Sequence, residues 1–259
     1  MSPRTLGWTV DGSPGESVLV LSGSLGTTAT MWDPQVPLLS RERCLVRVDH
    51  PGHGRSPVWD GPVGVADIGG AILDVLDRLG MQRFSFCGLS LGGAAGQWVA
   101  AHAPERVERL VLCSTAARFT PPEVYVQRAA TVRREGMDAI AASAMERWFT
   151  LDFREREPGI VERFRATLAA TPPEGYAQCC EAVAGFDGGA GLTRIAAPTL
   201  VLVGADDPAT PPERARHLHR GIAGSRLEII EGAAHLVNVE RPDAIETAIR
   251  DHLRRGRQP

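Results

Sequence analysis

Three side-chain types that could act together stand far apart in this chain, each where a strand-like run gives way to a loop or helix. Gly88-Leu89-Ser90-Leu91-Gly92 reads G-x-S-x-G. The run Arg83 to Cys87 before it is short, apolar and strand-like, and Leu91 to His102 after it has a helical pattern that stops before Pro104. A strand that turns sharply into a helix at a serine needs small neighbours, because a Cβ on either side collides across the turn. Gly88, Gly92 and Gly93 give that room. The turn lifts the Ser90 hydroxyl above the sheet and sets it at a helix N-terminus, where backbone N–H groups favour a developing oxyanion.

A serine hydroxyl alone is a weak nucleophile and needs a general base, which in turn needs an orienting acid. In enzymes built on such an elbow the chain order is Ser, then Asp or Glu, then His. Gly204 to Pro211, carrying Asp206 and Asp207, follows one strand-like run, and Gly232-Ala233-Ala234-His235 follows the last. Both therefore fall at the carboxyl edge of a sheet, the edge that also carries Ser90. Among the seven histidines only His235 meets this positional test. His102 and His252 fall at helix ends and His217 and His219 on a polar helix, so surface or capping roles are expected there. Asp207 opens a D-x-x-T-P run and is the expected partner of His235, with Asp206 left as a solvated or capping carboxylate. The loop Ser22 to Gly26, after an early strand, is expected to complete an oxyanion hole, with the backbone N–H groups of Ser24 and Leu91 as the two donors.

These residues need a scaffold of parallel strands. At 259 residues with 43% hydrophobic content the chain is long and apolar enough for one large α/β domain, or one carrying an insertion. All 28 basic residues are arginine, which excludes Schiff-base lysine chemistry and a P-loop lysine. The net charge of −3 points to neither nucleic acid nor an anionic membrane as partner. The five cysteines, odd in number and lacking C-x-x-C spacing, do not read as a disulfide framework or zinc site, and Cys87 and Cys113, in apolar strand-like runs, read as small buried hydrophobes. No metal and no organic cofactor is called for. Met1 to Arg4 lacks the pattern of a signal peptide and no apolar run reaches membrane-spanning length, so a cytoplasmic protein is expected.

Along the chain, Thr5 to Thr9 and Ser17 to Leu21 read as an opening hairpin around Asp11 to Gly15. Cys44 to Val48 is a strand, followed by the turn-rich Asp49-His50-Pro51-Gly52-His53-Gly54-Arg55-Ser56; Val65 to Leu79 is a helix, and Leu110 to Cys113 a strand. From 120 to 187 the rhythm becomes helical, with candidate helices Glu123 to Glu135, Met137 to Phe149, Ile160 to Leu168 and Gly175 to Phe186. Strand and helix then alternate again through Thr199 to Val203, Pro212 to Leu218, Leu227 to Ile230 and Pro242 to Leu253, before a solvated tail from Arg254 to Pro259. The expected fold is a mostly parallel twisted sheet with helices on both faces: a core of 1–119 and 188–259, and an all-helical cap of 120–187 over the strand C-termini.

In these motifs the chain resembles the α/β-hydrolase superfamily, through Gly88 to Gly92, Asp49 to Ser56, Asp207 and His235. Within it the chain is similar to the 3-oxoadipate enol-lactonases. That closer likeness rests on Ser24-Leu25-Gly26 with Met31-Trp32-Asp33, Gly96-Gln97-Trp98, Ala103 to Leu112, Arg147-Trp148-Phe149-Thr150, Cys179-Cys180-Glu181-Ala182 and Ala205 to Pro212. It departs at Gly23, where asparagine is expected. The resemblance implies hydrolysis of a small anionic enol-lactone to 3-oxoadipate in aromatic-acid breakdown. The substrate's carboxylate would need a cation, and the cap offers Arg128, Arg133, Arg134, Arg147, Arg154, Arg156, Arg163 and Arg165. Arg133 or Arg134, at a helix end, is the expected anchor, and Trp148 an expected wall of the pocket. Another capped hydrolase (a carboxylesterase, a C–C bond hydrolase or a perhydrolase) and a non-catalytic ligand receptor are the competing readings.

Overall fold

The structure, a computed structural model, describes residues 4–13 and 17–254. The start of the N-terminal stretch, Pro14 and Gly15 of the first turn, and the expected tail beyond Arg254 lie outside the described residues. Among the described residues seven strands form one sheet: β1 (Trp8–Asp11), β2 (Val18–Ser22), β3 (Cys44–Val48), β4 (Phe84–Leu89), β5 (Val107–Cys113), β6 (Thr199–Gly204) and β7 (Arg226–Ile230). Their order is β1-β3-β2-β4-β5-β6-β7, with β1 antiparallel to β3 and every other pair parallel. Helices α1 (Val36–Leu39), α2 (Val65–Arg78) and α3 (Leu91–His102) lie among the first strands. Between β5 and β6 come α4 (Glu123–Glu135), α5 (Asp138–Trp148), α6 (Leu151–Arg156), α7 (Pro158–Ala169) and α8 (Pro173–Ala184). The last three are α9 (Pro212–Gly221), α10 (Val237–Glu240) and α11 (Pro242–Arg254).

The central strands are apolar on both faces because helices cover both. All six residues of β4 are buried, with Phe84, Phe86 and Cys87 fully so. Helix α2 buries Val65, Ile68, Ile72, Val75 and Leu76, a stripe at three- and four-residue spacing, and the Asp67 carboxylate accepts the Gly64 N–H at 2.8 Å to close its first turn. Each fully buried side chain of this size contributes about 1.5–3 kcal/mol. Helix α3 can lie against β4 because its inward face is small: a Cβ on Gly96 would stand 2.8 Å from the Phe86 ring.

The chain runs from β2 outward to β3 and then back across to β4, so β2 and β4 are neighbours at the point where the strand order reverses. In open α/β sheets that reversal leaves a crevice beyond the strand C-termini. The loop after β2 and the serine after β4 both open into it.

Two expectations need correction. Residues 5–9 do not pair with 17–21 as a hairpin; β1 lies antiparallel along β3, with Trp8 opposite Val48 and Asp11 opposite Leu45. Strand β2 already has β3 on one side and β4 on the other and so has no edge left for β1; the outer edge of β3 takes it, and Arg47 ties it to Asp11 at 2.8 Å. Helix α6 was not expected. Its signal is Thr150, whose Oγ1 accepts the Phe153 N–H at 3.2 Å, followed by Asp152 in the first turn.

Candidate active site

Ser90 joins β4 to α3 with φ 57° and ψ −113°, a left-handed backbone rarely held by a non-glycine residue. The strain is kept in place from three sides. The Ser90 N–H donates to Cys113 O at 3.0 Å, the Thr115 hydroxyl donates to Ser90 O at 2.7 Å, and the flanking glycines leave no room to relax. A Cβ on Gly88 would stand 2.2 Å from Gly92 O, and one on Gly92 2.2 Å from Ser22 O. The Leu91 amide opens α3, where the first N–H groups lack partners within the helix.

His235 and Asp207 come together as their positions predict. The His235 Nδ1–H donates to Asp207 Oδ2 at 2.9 Å, and both residues are 3% exposed. Asp207 Oδ1 accepts the N–H groups of Ala209 and Thr210 at 2.8 and 2.9 Å, and Oδ2 also accepts the Thr210 hydroxyl at 2.7 Å. Burial works against the Asp207 charge, but His235 and the Thr210 donors outweigh it and hold the carboxyl below its ordinary range. Asp206 is exposed and turned away, its N–H bound to Ala233 O at 3.0 Å. Thr210 is a site residue that the sequence reading missed as such; the D-x-x-T spacing, which closes a turn on the aspartate, is its signal.

With Nδ1 committed, His235 Nε2 faces a cavity of about 210 Å³ shared by Ser90, Ser24, Trp148 and Tyr176. The Ser24 hydroxyl is 3.5 Å from Nε2, while the Ser90 hydroxyl, on the same cavity, makes no hydrogen bond to the ring among the described residues. A cavity this small, below the ~300–1,000 Å³ of drug-sized sites, suits a compact ligand over a long acyl chain.

The loop after β2 is held by side chains of the loop after β3. The His50 Nε2–H donates to Gly23 O at 2.8 Å, His53 Nε2 accepts the Gly26 N–H at 3.0 Å, and Asp49 Oδ1 accepts the Ala29 N–H at 2.6 Å. His53 Nδ1–H donates to Pro51 O at 2.8 Å, so this ring must be neutral to make both bonds; burial, then the nearby His50, lowers its pKa to about 4. The expected donor Ser24 departs from expectation in one respect. Its N–H is not free but meets Met31 Sδ at 3.2 Å, a weak acceptor. The sulfur sits in the space left by Gly23, where a Cβ would stand 2.6 Å from it.

The structure does not bring the expected anchors Arg133 and Arg134 to the cavity. Arg133 is ion-paired on the surface with Glu174 at 2.8 Å and with Glu181, and Arg134 pairs with Glu135; neither lines the cavity. Helix α4 buries Ala129 and Val132, and its period turns 133 and 134 outward. Arg128 and Arg147 line the cavity instead, with Arg128 stacked 5.1 Å from the centre of the Tyr125 ring. Among the described residues neither has a carboxylate partner within 4.0 Å. Burial, then the charge of Arg128, lowers the Arg147 pKa, while at Arg128 burial is outweighed by the neighbouring Tyr176 and Tyr125, which keep its pKa raised. Trp148 lines the cavity as expected and is 5% exposed. His252, expected at the surface, is buried and donates through Nε2–H to Pro198 O at 3.1 Å.

Comparisons with known proteins agree with this fold. Residues 16–242 match the alpha/beta hydrolase fold family. The chain is 38% identical over 250 residues to 3-oxoadipate enol-lactonase 2 of Acinetobacter baylyi, covering 96% of this chain and 93% of that protein. The crystal structure of the enol-lactonase from Burkholderia xenovorans is similar at a TM-score of 0.93 and 41% identity, over 96% of both chains. A thermophilic esterase from Thermogutta terrifontis, solved with malate bound, is similar at a TM-score of 0.90 and 30% identity, over 96% of this chain and 93% of that one. Among the described residues no helix is long and apolar enough to cross a membrane.

Proposed function

The chain belongs to the alpha/beta-hydrolase fold family and is a hydrolase, and from that premise we propose that it opens a small, carboxylate-bearing enol-lactone, 3-oxoadipate enol-lactone, to 3-oxoadipate. One observation carries the reading: an aspartate-held imidazole, a strained elbow serine and two guanidiniums without carboxylate partners share one small cavity.

In this reading Ser90 Oγ attacks the ring carbonyl as His235 Nε2 takes its proton, and Asp207 holds the imidazolium that results. The oxyanion is bound by the N–H groups of Leu91 and Ser24; a full negative charge displaces the weak sulfur contact of the latter. The ring C–O bond breaks, His235 protonates the leaving enolate oxygen, and the enol becomes the ketone. Water, deprotonated by His235, then releases the acid from Ser90. In this reading His235 Nε2, which stands 3.5 Å from the Ser24 hydroxyl, takes the proton of the Ser90 hydroxyl on the same cavity.

The free carboxylate is held by Arg128 and Arg147, replacing the surface pair Arg133 and Arg134, with Trp148 as a wall. The helices of 120–187 serve as the cap and 1–119 with 188–259 as the core. A second reading, an esterase for short carboxylate-bearing esters, draws on the related esterase that was solved with malate. The test is turnover of the enol-lactone. The wild-type protein is expected to hydrolyse it, and Ser90→Ala to lose about 10⁴-fold or more in kcat. Undiminished turnover in Ser90→Ala would remove the mechanism.

A further inference from the structure

One buried carboxylate near the cavity is not used by the chemistry above. Glu240, at the end of α10, is 3% exposed. Its Oε1 accepts the Thr150 N–H at 2.9 Å and the Thr150 hydroxyl at 2.8 Å, and its Oε2 accepts the Ala234 N–H at 2.5 Å. Thr150 begins α6, two residues after the cavity wall Trp148, and Ala234 immediately precedes His235. Beside this bridge the Leu236 N–H donates to Trp148 O at 3.0 Å. Four hydrogen bonds thus sew the 148–150 segment to the 234–236 loop, and three of them end on one side chain.

The chemistry of that side chain matters. An ionised carboxylate is acceptor-only and can take donors on both oxygens, whereas an amide must present N–H₂ on one side. Here all three partners are donors, two from one segment and one from the other, so glutamate fits and glutamine does not. On the far side of the same loop, Asn238 donates to Met31 O at 2.9 Å and Gln35 donates to Asn238 O at 2.8 Å, so the loop is anchored there independently. Glu240 is the side that reaches the helices between β5 and β6.

We propose that Glu240 is a positioning residue that couples the 148–150 segment to the His235 loop, so that one side chain sets the place of the cavity wall and of the imidazole together. This rests on the reading of His235 as the general base.

The test uses Glu240→Gln, Thr150→Val and the double variant, assayed with p-nitrophenyl acetate, with functional sites counted by the p-nitrophenol burst. Glu240→Gln is expected to lose about tenfold to a hundredfold in kcat per titrated site, the scale of a catalytic group misplaced by ~1 Å. Thr150→Val, which removes the hydroxyl bond to Glu240 and the cap on the Phe153 N–H but keeps the backbone N–H bond, loosens the wall side and is expected to raise KM while changing kcat per site less than Glu240→Gln does. The double variant should cost less than the two single losses combined, as for residues in one network. A glutamate that merely stabilises the fold would lower Tm and leave kcat and KM per titrated site unchanged, and that result in a folded Glu240→Gln overturns the proposal. Should Glu240→Gln not fold, an unchanged KM in Thr150→Val overturns it alone. Absence of any turnover by the wild-type protein would instead be a failure of the hydrolytic mechanism.

Discussion

At the scale of single residues, the arrangement rests on Asp207. It is buried, accepts four hydrogen bonds, and holds the His235 Nδ1–H so that Nε2 is free to act as a base. Asp207→Asn keeps the shape but can turn an N–H₂ group toward Nδ1, favouring the wrong tautomer. We expect kcat to fall by about 10³–10⁴-fold, while Asp206→Asn leaves it close to wild type. A steady-state comparison of the two variants checks this, and equal losses would reassign the acid. The choice between the two aspartates was legible in the sequence because Asp207 begins a D-x-x-T turn. The carboxylate anchor was not. Eight arginines in 120–187 look alike in a string, and which of them meet the cavity depends on how α4 and α5 dock, a tertiary fact that no local pattern carries. Arg128 and Arg147 differ from Arg133 only in facing inward.

At the scale of elements, the loop Asp49 to Ser56 is a clamp on the loop after β2, and its histidines give the fold a pH dependence. His53 is neutral when folded, because Nε2 accepts the Gly26 N–H while Nδ1–H donates to Pro51 O. Its pKa falls from 6.5 to about 4 on folding. His252, on α11, falls likewise to about 4, through burial and then the charge of Arg109. Between these values the unfolded chain binds protons that the folded chain refuses, so stability rises with pH across the window. The contribution is fully present above about pH 6.5 and is lost as pH falls toward 4. Each histidine adds a slope of up to ~1.4 kcal/mol per pH unit. Urea unfolding between pH 4 and 7 should show this rise, and His53→Gln, which can still donate and accept, should flatten it by up to that amount. An unchanged slope would show that His53 titrates normally. The other elements divide along a physical line. Strands buried on both sides and strongly periodic helices were legible. The partner of β1 was not, because an edge strand is chosen by which edge stays open, and a six-residue helix such as α6 is too short to show a period.

At the scale of the whole molecule, four loops converge on one sheet edge: those after β2, β4, β6 and β7, carrying Ser24, Ser90, Asp207 and His235. Parallel strands make this convergence automatic, since every strand ends on the same side, and it is why residues so distant in sequence could be assigned to one site before any coordinates. The helices between β5 and β6 add what the sheet lacks, a wall with two guanidiniums that have no carboxylate partner among the described residues, over a cavity of about 210 Å³. We propose that this wall selects a small anionic lactone for the serine below it. The decisive comparison is the ratio of kcat/KM for 3-oxoadipate enol-lactone to that for a neutral ester of similar size, in the wild-type protein and in Arg128→Met/Arg147→Met. The wild-type ratio is expected to exceed about tenfold and to collapse toward one in the double variant, through a loss of about tenfold to a hundredfold on the lactone alone. A wild-type protein that prefers the neutral ester by a wide margin, or a ratio indifferent to both arginines, would contradict it.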